Sequence, residues 1–556
     1  MKTVIIGGVA GGASAAARLR RLDELAEIII LERGEYISFA NCGLPYYIGD
    51  VITNKNNLTL QTPESFKSRF NIDVRVNNEA IQINPNAKTV TVKDLKSGKL
   101  YTESYDNLIL SPGAEPIRPN IDGINSDFVF TLRNIPNMIK IKEYIGIAKP
   151  KSAVVIGGGY IGVEMAENLK KAGLEVSIVE LTNHLIAPLD FDIAADMHRY
   201  IKSKGIRLYL NNGVKAIDGN TIILQNGEIN ADMIILSVGV RPETEFAQKC
   251  GIQTNPRGSI IVDKSMKTNI PYIYAVGDAV EVEDFVTKSP VFIPLAGPAN
   301  KQGRIAADNI AGINSQYTGT QGSAILKIFD MTVAATGINE KNAKASGIDY
   351  DKVYIYSGSH AAYYPNANNM SIKALWDKKT LKILGAQIVG FDGVDKRIDV
   401  LAVAIRLGAQ ITDLAKLELC YAPPFGSAKD PVNMIGFVAE NVITEKIKQF
   451  FWHDVENLPY DGSVTLLDVR TTTEVQRGKI DGFINIPLDS LRERILEIPK
   501  GKPVYVHCHS GLRSYIACRI LMGNGYECFN LAGGWRLYES VINEKTVPEY
   551  ICIECK

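Results

Sequence analysis

Two cysteines of this 556-residue chain stand where chemistry is possible. Cys508 follows the apolar strand pattern VYVH and opens the run Cys508-His509-Ser510-Gly511-Leu512-Arg513. A cysteine followed by a loop of backbone N–H groups and closed by arginine forms an anion cradle, which lowers a thiol's pKa. Arg513 comes five residues after Cys508, so the loop is tight and better sized for a persulfide, Cys–S–SH, than for phosphate. Cys42, in SFANCGLPYY, has no second cysteine before Cys250. An internal dithiol is therefore not expected, and Cys42 would pair with a thiol from outside the chain. A lone cysteine is usually a small buried hydrophobe, so its neighbours decide its meaning.

The elements that must position Cys42 begin at the N-terminus. Val4-Ile5-Ile6 reads as a strand running into Gly7-Gly8-Val9-Ala10-Gly11-Gly12, followed by an alanine-rich helix over residues 13–22. A second strand, Ile28-Ile29-Ile30-Leu31, ends at Glu32. Glu32 falls 20 positions after Gly12, the spacing at which a carboxylate meets a ribose hydroxyl pair. Val9 occupies the second glycine position, so this turn departs from G-x-G-x-x-G. The pattern recurs after Ala153-Val154-Val155-Ile156, where Gly157-Gly158-Gly159-Tyr160-Ile161-Gly162 fits in full and Glu180 stands 18 residues past Gly162. A smaller frame, L-S-x-G-x-x-P, accompanies each unit, at 108–116 and at 234–242, the second containing Gly239. Two such units imply two bound dinucleotides.

Composition narrows the class. The 61 Lys and Arg balance 61 Asp and Glu, leaving no electrostatic footprint for nucleic acid and no polybasic membrane signal. At 46% hydrophobic residues the chain can bury large cores, and its length suggests roughly three to four domains. No apolar run approaches the roughly 18 residues of a membrane helix, and the N-terminal apolar run passes straight into glycines, as a strand does and a signal peptide does not. The eight cysteines are mostly far apart, unlike a secreted disulfide scaffold. A cytoplasmic protein is expected. Cys552 and Cys555 form a C-x-x-C tail with no matching pair or His cluster, so no metal site is expected.

Residues 1 to about 445 resemble the FAD- and NAD(P)-linked disulfide reductase family. TNIPYIYAVGD (268–278) is similar to the family's strand ending in Gly-Asp, which places Asp278 on the flavin's ribityl chain. It lies after the second unit, so the second domain is inserted into the first. Three segments resemble a rhodanese domain: LLDVRTTTEVQRGKIDGFINIPL (466–488), VYVHCHSGLRS (504–514) and LAGGWRLYE (531–539), with Asp468 and Arg470 supporting the Cys508 loop. The fold these resemblances imply is α/β. It comprises two nested Rossmann-like dinucleotide-binding domains, an α+β dimerisation domain and a C-terminal α/β rhodanese domain. The expected boundaries are 1–115 with 245–322 for FAD, 116–244 for NAD(P)H, 323–445 for the interface domain, 446–460 for a linker and 461–556 for the rhodanese unit.

Within that family, SFANCGLPYY resembles the coenzyme A-disulfide reductases and their persulfide-reducing relatives, with Tyr47 where dithiol members carry a second cysteine. The resemblance makes Cys42 the redox cysteine. It places Ser14, Arg18 and Arg21 on the coenzyme A nucleotide, Ser38 and Asn41 around the reacting sulfur, and Asn300, Arg304 and Lys429 as further substrate contacts. Arg18 and Arg21 also stand three apart on one helix face, suited to a 3′-phosphate and a pyrophosphate. Tyr363 in HAAYYP and Tyr421 in YAPPFGSAKD match tyrosines that reach the sulfur site from the second subunit of a homodimer. A phenol with pKa about 10 donates to a leaving thiolate while staying protonated. The implied FAD contacts are Gly7, Gly8, Val9, Ala10, Gly11, Gly12, Glu32, Arg33, Asn41, Arg133, Gly277, Asp278, Pro294, Leu295 and Ala296. The implied nicotinamide dinucleotide contacts are Gly157, Gly158, Gly159, Tyr160, Ile161, Gly162, Glu180 and Gly239.

The expected activity is FAD-dependent reduction of coenzyme A disulfide, coenzyme A persulfide or polysulfide through Cys42. Cys508 and Arg513 would handle sulfane sulfur from a donor such as thiosulfate. NADH is the expected reductant, because the Glu180 carboxylate repels a 2′-phosphate, with NADPH as the other candidate. Three alternatives belong to other classes: an NADH oxidase or peroxidase cycling Cys42 through sulfenic acid, a sulfurtransferase with a vestigial flavin domain, and a redox sensor without turnover.

Overall fold

The computed structural model describes residues 1–546, so the Cys552–Cys555 pair lies outside the described residues. The chain divides into two compact units, Met1–Thr182 with Ile206–Gly322, and Asn183–Gly205 with the chain from Ser323 on.

The first unit contains two five-stranded parallel sheets. In one, the strand order is Ile273–Ala275, Asn107–Leu110, Lys2–Ile6, Glu27–Glu32, Asp73–Val76; in the other it is Ile206–Tyr209, Glu175–Val179, Ser152–Ile156, Met233–Leu236, Val129–Phe130. Ile273–Ala275 returns to the first sheet after the whole of the second has been built, which is the interruption expected from the position of TNIPYIYAVGD. The central strands are continuous apolar runs buried on both faces, as parallel strands covered by helices must be. The two L-S-x-G-x-x-P frames do the same job twice. The Ser111 N–H donates to the Ile6 carbonyl, as the Ser237 N–H does to Ile156, both at 2.8 Å. Their ends then pair with each other, Ala114–Pro116 antiparallel to Val240–Pro242.

The helices after the glycine turns run Ala10–Leu22 and Tyr160–Lys171. The first starts three residues earlier than the alanine pattern suggests, because Val9 itself is the N-cap residue. That also explains the departure from G-x-G-x-x-G. Gly159, at the matching position, has φ −75° and open space where a Cβ would be, so a side chain is tolerated there. The first glycines are different: Gly7 and Gly157 have φ +96° and +102°.

In the second unit the antiparallel sheet order is Ala324–Ile328, Met331–Gly337, Ile383–Gly390, Asn369–Asp377, Tyr350–Gly358. A parallel sheet follows with order Lys448–Phe450, Cys528–Leu531, Val504–His507, Thr465–Asp468, Ile484–Asn485. The stretch 446–460, expected as a linker, is not free chain. Lys448–Phe450 pairs in parallel with Cys528–Leu531 as the edge strand of the last sheet, and Trp452–Asn457 forms a 3₁₀ turn. Its apolar residues decide this: Phe450 and Val455 are buried in a cluster with Leu466 and Leu531.

A buried ionic cluster ties these parts together. Lys373 has no exposed side-chain surface and pairs with Asp190 and Asp192 at 2.9 Å each, and with Glu340. Lys352 donates to Glu340 at 2.8 Å, and the Trp452 indole donates to Asp192 at 3.3 Å. The lysines hold Glu340 well below the usual carboxylate range, against the opposing effect of burial. Removing one member of such a cluster leaves uncompensated buried charge, costing about 3–5 kcal/mol. Lys373→Met is therefore expected to lower the denaturant midpoint of this unit by that equivalent, followed by Trp452 fluorescence; a change under about 1 kcal/mol would show that the acids are stabilised otherwise.

Candidate functional sites

In the first unit the glycine turns bring backbone against backbone. A Cβ at Gly7 would lie 2.0 Å from the Ser111 carbonyl oxygen, and one at Gly157 would lie 2.4 Å from that of Ser237. At Gly12 and Gly162 it would meet the Gly7 and Gly157 carbonyl oxygens at 1.9 and 2.0 Å. Each strand-end carboxylate holds its own turn. Glu32 accepts from the Gly8 and Gly34 N–H groups at 2.9 and 2.8 Å, and Glu180 accepts from those of Gly158 and Thr182 at 2.7 and 2.8 Å. The helix N-termini thus face outward with unsatisfied N–H groups, the arrangement that receives a pyrophosphate.

A cavity of about 990 Å³ opens beside the first turn. Ten residues expected around FAD line it: Gly7, Val9, Ala10, Gly11, Glu32, Arg33, Asn41, Arg133, Gly277 and Asp278. Gly8, Gly12, Pro294, Leu295 and Ala296 are not among its lining residues, and the residues 157–162 belong to the second sheet's turn. Sequence reasoning missed Glu243, which holds two of the lining arginines: Arg133 donates to it at 2.5 Å and Arg33 at 2.9 Å. No local pattern marks Glu243, because both partners are more than 100 residues away.

Cys42 is an exposed residue next to Asn41, and its thiol is pushed up by partial desolvation and by the carboxylates of Glu164 and Asp278. Glu164, also missed, is itself pushed up to about 7 by burial, and the Tyr46 hydroxyl donates to it at 3.3 Å. An acidic residue at the edge of the buried face of the helix Tyr160–Lys171 was the available signal. The helices Ala10–Leu22 and Ala296–Ile310 cross closely, and carry most of the expected coenzyme A contacts. The Ser14 hydroxyl donates to Asn300, while Arg21 and Arg304 are exposed. Arg18 donates to Asp308 at 2.7 Å, so only part of its fork is free. In the second unit the Tyr363 and Tyr421 hydroxyls lie 2.8 Å apart, both rings exposed, and Lys429 is exposed.

Cys508 is buried, and two donors converge on its sulfur: the Gly511 N–H at 3.1 Å and the Ser514 hydroxyl at 3.2 Å. Arg513, expected to close the cradle, instead forks onto Glu474 at 2.8 and 2.6 Å. That pairing holds Glu474 down at about 2. Behind the loop, the buried Arg470 donates to Asp468 and to the Gly478 carbonyl, with its guanidinium over the Trp535 ring. His507 is fully buried beside Asp468 and is pushed down to about 4 by desolvation. Among the described residues, no group of three or more His, Cys, Asp or Glu side chains could hold a metal ion, and no helix is long and apolar enough to cross a membrane.

The profile of the pyridine nucleotide-disulphide oxidoreductases matches residues 1–303, and that of their dimerisation domain matches 323–431. The chain belongs to this family. A rhodanese-like domain matches 452–540. The chain is 37% identical over 441 residues to a coenzyme A disulfide reductase of Staphylococcus epidermidis, covering 79% of this chain and all of that one. It superimposes on reduced Bacillus anthracis CoADR-RHD with TM-score 0.96 at 50% identity, over 98% of this chain and 99% of that one. An NAD-dependent persulfide reductase from A. fulgidus gives 0.91 at 37% identity, over 97% and 100%. Pyridine nucleotide-disulphide oxidoreductases use FAD and NAD(P)H. The residues present fit both: each turn leaves N–H groups free, admits no Cβ at its first glycine, and ends its second strand in a carboxylate with lone pairs left for ribose hydroxyls.

The burial of His507 has a testable pH consequence. Its folded-state value of about 4 lies below the ordinary 6.5, so the unfolded chain takes up the proton first on acidification. The stability it contributes is fully present above pH 6.5 and is lost between about 6.5 and 4, a total of about 3 kcal/mol. Amide exchange of residues 504–507 should accelerate over that window and do so less in His507→Gln; identical acid profiles would place the proton elsewhere.

Proposed function

We propose that this protein reduces coenzyme A disulfide or coenzyme A persulfide with NADH, through Cys42 as the single redox cysteine, and that Cys508 carries sulfane sulfur for the same chemistry. The observation that carries the reading is an exposed, unpartnered thiol beside a dinucleotide cavity whose lining residues match those expected for FAD. The names of the Staphylococcus epidermidis, Bacillus anthracis and A. fulgidus relatives support the substrate class. FAD, when bound, supplies a two-electron carrier between the nicotinamide and the thiol.

The Cys42 thiolate attacks the substrate's sulfur–sulfur bond, forming a mixed disulfide and releasing a thiol or hydrosulfide. Two electrons and a proton then return Cys42 and free the second thiol, so one NADH is used per sulfur–sulfur bond. Because partial desolvation, and then nearby carboxylates, raise the Cys42 thiol, a nearby base must take its proton. Glu164, at about 7, is a carboxylate in half the molecules at neutral pH and suits that task. Tyr363 and Tyr421, contributed by a second copy in a homodimer, donate hydrogen bonds to the leaving sulfur while staying protonated. Ser14, Arg21, Asn300 and Arg304 hold the nucleotide of coenzyme A, with Arg18 anchored on Asp308. Lys429, Ser38 and Asn41 orient the reacting end. Glu180 sets the preference for NADH over NADPH. At Cys508, the Gly511 and Ser514 donors stabilise the sulfur, while Arg513 swings off Glu474 when an anionic donor arrives. A protein with these substrates works in the cytoplasm.

Anaerobic NADH oxidation tests the reading. Cys42→Ser should lose at least about 10³-fold in kcat with every sulfur acceptor. Cys508→Ser should leave coenzyme A persulfide reduction intact and abolish reduction that starts from thiosulfate. Substantial turnover in Cys42→Ser would sink the reductase reading, and oxygen consumption as fast as disulfide reduction would favour the oxidase.

A further inference from the structure

A second cavity, of about 340 Å³, lies wholly within the second unit. Three elements wall it: the helix Phe191–Ser203, the antiparallel sheet, and the start of the helix Gly534–Thr546 in the rhodanese-like domain. Two arginines line it, Arg199 and Arg536. Among the described residues, neither side chain has a hydrogen-bond acceptor. Arg199 stands 3.9 Å from Asp196, and the guanidinium carbon of Arg536 lies over the Tyr356 ring, 4.3 Å from its centroid. Asp196, the one carboxylate in the lining, already accepts from the Ser371 and Ser540 hydroxyls at 2.5 and 2.6 Å. The cavity thus presents two open forks, each able to take a phosphate by two parallel bonds.

The rest of the lining is aromatic, neutral polar and, at Met331 and Val389, apolar. Phe391 and Tyr200 meet edge to face at 5.1 Å, with Phe391 exposed, and Ser203 and Asn369 add hydroxyl and amide groups. The volume lies in the roughly 300–1,000 Å³ range of organic-ligand sites and far exceeds what a bare oxyanion fills. The location is also specific. The Arg536 N–H donates to the His509 carbonyl at 2.9 Å and the Trp535 N–H to that of Cys508 at 2.8 Å, so the wall carrying Arg536 is fastened to the Cys508 loop. No step of the reductase reaction at Cys42 uses these residues.

We infer that this cavity is a second nucleotide site, where Arg199 and Arg536 bind the phosphates of a coenzyme A-type thiol while its sulfur end exchanges sulfane sulfur with Cys508. The inference rests on the proposed function for the identity of the thiol. In the exchange, the carrier thiolate attacks the outer sulfur of the Cys508 persulfide. The persulfide S–S bond breaks, a new S–S bond forms on the carrier, and Cys508 leaves as thiolate with no net oxidation. The bulk of the carrier never enters the buried Cys508 pocket; only its sulfur-bearing arm does.

The test is sulfur transfer by the full-length holoenzyme from thiosulfate, with coenzyme A or cyanide as acceptor. Arg199→Gln should raise the KM for coenzyme A about tenfold while leaving its kcat and the cyanide rate unchanged, and Arg199→Lys should recover part of the loss. Adenosine 3′,5′-bisphosphate should compete with coenzyme A, and not with cyanide, in the wild type. This competition needs no variant to fold. An unchanged KM together with absent competition overturns the second site but leaves the reductase reading standing. A raised KM for thiosulfate in place of coenzyme A reassigns the guanidiniums to the donor and overturns it too. A wild type that passes sulfur to cyanide and never to coenzyme A sinks the inference along with the carrier's identity in the proposed function.

Discussion

Close approach of backbone to backbone at the two glycine turns is the constraint on which the dinucleotide-binding unit depends. At Gly7 and Gly157 the chain turns with positive φ against the carbonyl of the serine in each L-S-x-G-x-x-P frame, at a distance no Cβ permits. That contact fixes where each helix starts, and so where its free N–H groups point. The serine frames are bound to the same strands by their own N–H groups, and their tails pair antiparallel with one another. One local steric fact thereby sets two sheets, two helix N-termini and the ladder connecting them. The strand-end carboxylates complete the turns, Glu32 and Glu180 each accepting turn N–H groups before any ribose arrives. A carboxylate already ordered loses little freedom when a ligand binds, which is how a binding site gains affinity without more contacts.

The second unit is organised by charge. Lys373, in mid-strand and fully buried, collects three carboxylates, two of them from the segment 183–205 and one from the helix Glu340–Ala345. The indole of Trp452 is added to the same cluster from the approach to the last sheet. A second set of bonds runs further along the helix Phe191–Ser203, where His198 and Lys202 meet Glu544 and Asp196 meets Ser540. The rhodanese-like domain is therefore held by directional, desolvated interactions at several points along its length. Unlike an apolar patch, each of these contacts is directional.

What the sequence revealed and what it hid follow one rule. Features whose cause is local were legible: the glycines and the acid at the end of the next strand, the Cys508 loop, the return strand ending in Gly277-Asp278. Val9 looked like a defect only because the motif does not say which of its glycines need positive φ. Features caused by partners far along the chain were hidden. Glu243 bridges Arg33 and Arg133, Arg18 is shared with Asp308, and Arg513 turns to Glu474. The stretch 446–460 read as a joint because a three-residue edge strand carries almost no periodic signal. Lys373 drew no reading at all, because nothing in its neighbourhood names the acids that bury it.

The two reactive sulfurs stand in opposite surroundings, and the difference argues for a division of labour. Cys42 is exposed, and partial desolvation and the Glu164 and Asp278 carboxylates outweigh its own backbone N–H in pushing the thiol up, so a charged or persulfidated form held there would be poorly stabilised. Cys508 is buried with a backbone N–H and a hydroxyl aimed at its sulfur. On the proposed function, this contrast suits Cys508 to storing sulfane sulfur and Cys42 to consuming it. A buried store also limits what can empty it: no protein surface reaches a sulfur with no exposure, whereas a thiol at the end of a slim, flexible chain does. A persulfide held there, as the proposed function has it, would be shielded from water by the same geometry, which favours a carrier with its recognition groups set well back from its sulfur. A nucleotide-tailed thiol meets that requirement, and cysteine or a small inorganic sulfide, having nothing to grip at a distance, gains no advantage from it.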